Sequence, residues 1–167
     1  AGSAEGLSQA KALERMVEAR NATLLLVGRE ILARQQEAIR LGPIGLAPMS
    51  MADLAEALGF HESTISRVVA GASLDSPRGT WWLRAMFSPA LGGNGQPLIS
   101  GAAMRGRLAR LVAAENPGRP LSDEALAMAL ALDTGVSIAR RTVAKYREAE
   151  GIPVAARRKR KPVLPRM

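Results

Sequence analysis

At 167 residues the chain is long enough for one ordinary domain or two small ones, and aromatics supply only 3% of it. A core must therefore be built from Leu, Ile, Val, Met and Ala, which favours helices. The lack of cysteine excludes disulfides and thiolate metal sites, and the single histidine, His61, excludes a histidine metal cluster.

No metal ligands, cofactor or catalytic residues are expected. The net charge of +8 is uneven: residues 1–100 hold nine Lys and Arg against nine Asp and Glu, whereas residues 101–167 hold fourteen against six. A cationic field of this kind predicts a polyanionic partner for the second part. No apolar run reaches membrane-spanning length, and the start does not read as a signal peptide. A cytoplasmic protein with no membrane contact is expected.

From about Leu7 to Leu41 there is no proline, and apolar positions including Leu13, Val17, Leu24, Val27, Ile31 and Ala38 recur at helical spacing, with Arg20 and Gln35 in the same seam. That predicts one long helix over 1–42, stopped by Gly42-Pro43. About 33 residues would reach roughly 50 Å, more than a small domain can cover.

Residues 43–88 are expected to hold a helix-turn-helix. Ser50 is placed to cap its first helix, with Asp53 completing an S-x-x-D pattern. Leu54 and Leu58 face inward, Ala55 suits a close crossing, and Gly59 suits a turn that needs positive φ. Phe60, Ile65 and Val68 complete the small core. His61, Glu62, Ser63, Thr64, Ser66 and Arg67 are left facing outward, where a second helix touches DNA. Trp81 and Trp82 are expected to plug the core beneath.

Residues 89–100 are rich in Gly, Asn and Pro and read as a flexible linker and domain boundary. Stretched at ~3.3 Å per residue it would span about 40 Å, comparable with one turn of DNA, ~34–36 Å.

Residues 101–156 read as a three-helix unit. Met104, Leu108, Leu111 and Val112 mark its first helix, and Ser122 caps the second, with Leu126, Ala129 and Leu130 inward. The third helix follows Asp133-Thr134-Gly135-Val136, with Ser137 as its expected cap and Gly151-Ile152-Pro153 as its end. Ala139, Val143 and Tyr146 form its apolar stripe. Arg141, Ala144, Lys145 and Glu148 form the other face, with Arg140 and Arg147 at the edge. Long cations around a small alanine suit the major groove, because Arg reaches guanine O6 and N7 while Ala144 lets the backbone approach. A basic tail, 157–167, contains Arg157, Arg158, Lys159, Arg160 and Lys161, expected to touch phosphates. The predicted fold is all-α: a long N-terminal helix leading into a helix-turn-helix, a flexible linker, then a three-helix helix-turn-helix domain.

The string Ala139-Arg140-Arg141-Thr142-Val143-Ala144-Lys145-Tyr146-Arg147 resembles, residue for residue, the RpoN box of the bacterial sigma-54 family of RNA polymerase promoter-specificity factors. His61 to Val68 resembles the family's first helix-turn-helix. Ser76-Pro77-Arg78-Gly79 resembles its T-P-R-G segment, and Arg20 to Leu25 and Pro120 to Asp123 are also family-like. Two places depart from the pattern: Ala72-Ser73-Leu74 replaces a Lys-Tyr pair, and Trp81 to Phe87 keeps only the last Phe of a Tyr-Phe-Phe cluster.

The resemblance implies a DNA-binding part of a promoter-specificity factor, with no catalytic role, directing polymerase to −24/−12 promoters. It implies that Arg140, Arg141, Ala144, Lys145 and Arg147 meet the GG step near −24, and that His61, Ser63, Thr64 and Arg67 meet the GC step near −12. Implied partners are double-stranded promoter DNA and, in the full-length protein, RNA polymerase core and an ATP-dependent activator, through regions that nothing before the long helix resembles. The implied location is the bacterial cytoplasm, at the nucleoid. A rival class is a dimeric helix-turn-helix repressor that uses the long helix as a coiled coil. A recombinase with Tyr146 as nucleophile is disfavoured, since Tyr146 lies on the apolar stripe.

Overall fold

The computed structural model describes residues 2–160. The long seam forms two helices rather than one, α1 (Gly2–Arg34) and α2 (Gln36–Leu41), kinked at Gln35. The kink has an identifiable cause. Gln35 is fully buried, its Nε2 donates to the carbonyls of Ala47 and Met86, both at 3.0 Å, and its Oε1 accepts from Ala47 N at 2.9 Å. These bonds pull its backbone to φ −111° and ψ 27°, off helical geometry. Only the last turns of α1 pack: Val27 and Ile31 are buried, whereas every residue from Glu5 to Ala22 is exposed. As expected, the chain turns at Gly42, where φ is +81°.

A 3-10 turn, Pro43–Gly45, leads to α3 (Met51–Leu58) and α4 (Glu62–Val69). Ser50 and Asp53 form the full reciprocal capping box, and Gly59 ends α3 in the left-handed region at φ +68°. Leu54, Ala55, Ile65, Val69, Leu83 and Met86 close the first core with Val27 and Ile31.

The expectation of an all-α chain is overturned by two antiparallel hairpins. The first pairs β1 (Ser73–Ser76) with β2 (Gly79–Trp82), setting Leu74 opposite Trp81 and Ser73 opposite Trp82. Thr80, Trp81 and Trp82 are β-branched and aromatic, which suits a pleated surface. Of the two tryptophans expected to plug the core, only Trp81 packs against it; Trp82 is 61% exposed.

The second hairpin, β3 (Ala90–Gly93) with β4 (Gln96–Ser100), replaces the expected flexible linker. Its turn is Asn94-Gly95, with φ of +51° and +87°, the pair of positive values that a tight two-residue hairpin needs. Leu91 and Ile99 fasten it to the second core.

That core forms from α5 (Gly101–Ala114), α6 (Asp123–Thr134) and α7 (Arg140–Ala149), around Met104, Leu108, Leu126, Leu130, Val136 and Val143. A short helix, α8 (Ala155–Arg158), follows. α5 also joins the two cores. Its Ala102 packs on the first core and donates its N–H to Ser88 Oγ at 3.1 Å. Its Gly106 lies against Ile44, so that a Cβ there would meet Ile44 Cγ2 at 2.9 Å. Among the described residues, no helix is long and apolar enough to cross a membrane.

Candidate nucleic-acid interface

The first candidate surface is α4. His61 precedes it and caps it: Nδ1 accepts the Ser63 N–H at 3.2 Å and lies 2.9 Å from Ser63 Oγ. Accepting the amide hydrogen fixes the tautomer with the proton on Nε2, which leaves that N–H facing outward as a donor. Arg67 folds back along the same face, with Nη2 donating to Ser63 Oγ at 3.0 Å and Nε to the Ser63 carbonyl at 3.1 Å. His61, Ser63 and Arg67 thus form one hydrogen-bonded group. Thr64 lines a cleft beside Arg67 and Val68, and Arg20 of α1 closes the other side. Arg20, a cation set within the largely apolar seam of the long helix, is brought beside α4 only by the packing of the two helices.

The second candidate surface is α7. Ser122 caps α6 through the Ala125 N–H at 3.1 Å, and Gly135 ends it at φ +71°. Thr134 Oγ1 donates to the Leu130 carbonyl at 2.7 Å and accepts from Val136 N at 3.1 Å, which fixes the turn into α7. α7 starts at Arg140 with Ala139, not Ser137, at the cap, and no side chain bonds there. Val143 is buried and Tyr146 half-buried against the core, while Ala139 of the expected stripe is exposed. Arg105 lies over the Tyr146 ring at 5.7 Å from its centroid. Arg140, Arg141 and Lys145 are exposed around the half-buried Ala144.

Arg147 departs from its expected place at the edge of the reading face. Its side chain is only 4% exposed and is bound inward. Nε and Nη2 donate to the two carboxylate oxygens of Asp123 at 2.8 and 3.3 Å, and Nη1 donates to the Ile152 carbonyl at 2.7 Å. The Asp123 carboxylate holds its pKa above the ordinary arginine value. This fork ties α7 to the first turn of α6 and so sets the angle of the face carrying Arg141 and Lys145.

The tail also divides. Arg157, Lys159 and Arg160 are exposed, whereas Arg158 is bound to Glu115; Lys161 lies outside the described residues. Among the described residues no three His, Asp or Glu side chains gather closely enough to hold a metal ion.

Comparison with known proteins gives this arrangement a family. A family model described as "Sigma-54, DNA binding domain" matches residues 2–160. The RNA polymerase sigma-54 factors of Escherichia coli strain K12 and Vibrio anguillarum are 45% and 42% identical over 153 and 154 residues. Each match covers 92% of this chain and 32% of the relative, so the chain spans about a third of their length. The fold is similar to that in the crystal structure of Aquifex aeolicus sigmaN bound to promoter DNA, with a TM-score of 0.58 and 30% identity, over 92% of this chain and 46% of that one. With a family model covering almost all of it and relatives this similar, the chain belongs to the sigma-54 DNA-binding domain family.

Proposed function

We propose that this chain reads promoter DNA for a sigma-54-type initiation factor. The observation that carries the reading is the exposed trio Arg140, Arg141 and Lys145 around Ala144, on a helix fixed from behind by Val143 and the Arg147–Asp123 pair. A cationic fork on a rigid helix is what bidentate recognition of guanine requires. In this reading α7 meets the GG step near −24. The His61–Ser63–Arg67 group, with Thr64, meets the GC step near −12. Arg157, Lys159 and Arg160 add phosphate contacts without sequence choice.

The proposed division is a long-helix unit over 1–42, a −12 unit over 43–88, the hairpin segment 89–100, a −24 unit over 101–156 and the basic segment from 157 onward. RNA polymerase core and an ATP-dependent activator would engage the larger part of the protein that this chain does not span, in the bacterial cytoplasm. The chain itself would supply an address rather than a reaction.

The test is binding to duplexes with and without the GG step. Arg141→Ala is expected to cost about 1–3 kcal/mol on the GG duplex and to flatten the difference between the two. Equal loss on both duplexes would remove α7 as the reading helix.

One observation favours a second reading, a dimeric repressor. Leu13, Met16 and Val17 are exposed on the unpacked part of α1, where a coiled coil could cover them. Sedimentation separates the two readings, since a stable dimer and a palindromic footprint belong to the repressor.

A further inference from the structure

The basic C-terminal segment is anchored through an acid. Arg158 Nε and Nη2 donate to the two oxygens of Glu115 at 2.6 and 3.0 Å. Nη2 also donates to the Leu121 carbonyl at 2.9 Å, and Nη1 to the Pro153 carbonyl. The second Glu115 oxygen accepts the Leu121 N–H at 2.8 Å as well. The two side chains are 8% and 6% exposed. With these bonds the Arg158 fork is committed to the protein, and its planar geometry leaves it poorly placed to grip a phosphate. Two residues on, Arg160 N donates to the Pro117 carbonyl at 2.8 Å. The segment is therefore laid along the loop between α5 and α6. It begins beside the reading helix, because Val154, Ala155 and Ala156 share a cleft with Arg140.

We propose that the Glu115–Arg158 pair is a clasp that holds Arg157, Lys159 and Arg160 as an ordered phosphate-gripping arm along the loop between α5 and α6, continuing from the cleft shared with Arg140. This rests on the DNA-binding reading above. Arg158 and Glu115 are positioning residues here, and the three exposed cations make the contacts. A cation held at the phosphates has already lost its chain entropy, whereas the same cation on a loose tail must be ordered when DNA binds.

A clasp reverses the sign that charge alone predicts. Glu115→Gln removes a negative charge from a DNA-binding surface, so simple electrostatics makes binding tighter. If the pair is a clasp, the same change makes binding weaker. The expected loss is about tenfold at 0.1 M salt on GG and scrambled duplexes alike, and the salt slope falls by up to about 0.9 for each of the three cations released. Arg158→Lys, which keeps the charge but loses the fork, is expected to behave like Glu115→Gln.

A further arm separates positioning from mere folding. In a chain carrying Arg157→Ala, Lys159→Ala and Arg160→Ala, all exposed positions, Glu115→Gln should cost almost nothing more in affinity. Thermal melts identify a temperature at which every variant is folded, and the titrations are run there. Tighter or unchanged binding by Glu115→Gln overturns the clasp, as does an undiminished loss on the triple-alanine background. Arg141→Ala in the same titrations keeps the two ideas apart. If it leaves GG preference intact, the reading helix is wrong whatever Glu115 does.

Discussion

Arg147 of α7 and Asp123 at the start of α6, 24 positions apart, are joined by a two-pronged ion pair whose shorter arm is 2.8 Å. A residue inside the nine-residue box of α7 is thereby a strut. Arg147→Ala should leave Asp123 partly solvated but unpaired, and the Ile152 carbonyl without its donor. The expected cost is about 3 kcal/mol, the low end for breaking a buried pair, read as a shift in the urea midpoint. Arg141→Ala should leave that midpoint within about 0.5 kcal/mol, as for an exposed position. If the two variants lose equal stability, the assignment of Arg147 to the framework is wrong.

A second prediction concerns the kink. Gln35 satisfies the N–H and C=O of Ala47 and the C=O of Met86 with one amide. Leu fits the volume but leaves those groups unpaired, at about 1–3 kcal/mol for each one buried. Gln35→Leu should therefore cost about 3 kcal/mol or more. In Gln35→Glu an ionised carboxylate would face two carbonyls, so the variant should be least stable at neutral pH and partly recover in mild acid, where the protonated group can donate. Measuring unfolding of both across pH checks this; a Gln35→Leu chain as stable as the parent would show that the amide is not the clamp.

How much of this was legible in the sequence depends on how far the deciding partner lies along the chain. The α3–α4 unit could be read because its signals are local: Ser50 and Asp53 are three apart, and Gly59 follows the last inward leucine. The Asn94-Gly95 turn was local too, flanked by Ala90-Leu91 and Leu98-Ile99, yet glycine-rich composition pointed to a linker. The Asn-Gly pair itself, which readily takes positive φ at both turn positions, was the informative feature rather than composition. Arg147 is a different case. A helical wheel places it beside Arg140, and nothing within α7 shows that Asp123 will arrive underneath. The same holds for Arg158 and Glu115, 43 positions apart, and for Gln35 and Met86, 51 apart. Such pairs exist only once the helices have packed.

The Glu115–Arg158 pair should make the stability of the chain depend on pH. The bond from Arg158 holds the Glu115 carboxyl below its ordinary pKa, with Leu121 N–H and the Arg158 charge adding to the effect against the cost of burial. A lowered acid pKa contributes stability that is complete above the unfolded value, about 4.3. That stability is lost as pH falls through the folded value. The melting temperature of the parent chain should therefore exceed that of Glu115→Gln at pH 6–7, and the gap should narrow below about pH 4. A gap that stays constant down to pH 3 would mean that the ionised pair contributes nothing.

The last prediction concerns how the two surfaces act together. In the proposed reading each of α4 and α7 would cover only a few base pairs, so one contact alone should be weak, and covalent connection would make the second contact intramolecular. The hairpin β3–β4 and the seating of Gly106 on Ile44 restrict that connection more than a loose linker would. Inserting about five base pairs between the GG and GC steps rotates one element half a turn, onto the opposite face of the duplex. A connection of this kind cannot follow it, so affinity should fall towards that of the basic second unit alone. Arg67→Ala should then cost about 1–3 kcal/mol on the natural spacing and almost nothing on the expanded one. The four measurements form a double-mutant cycle whose interaction energy is the coupling itself. Were Arg67→Ala to cost the same on both spacings, α4 and α7 would not be reading one site, and the packing of α5 across the two cores would have no part in promoter choice.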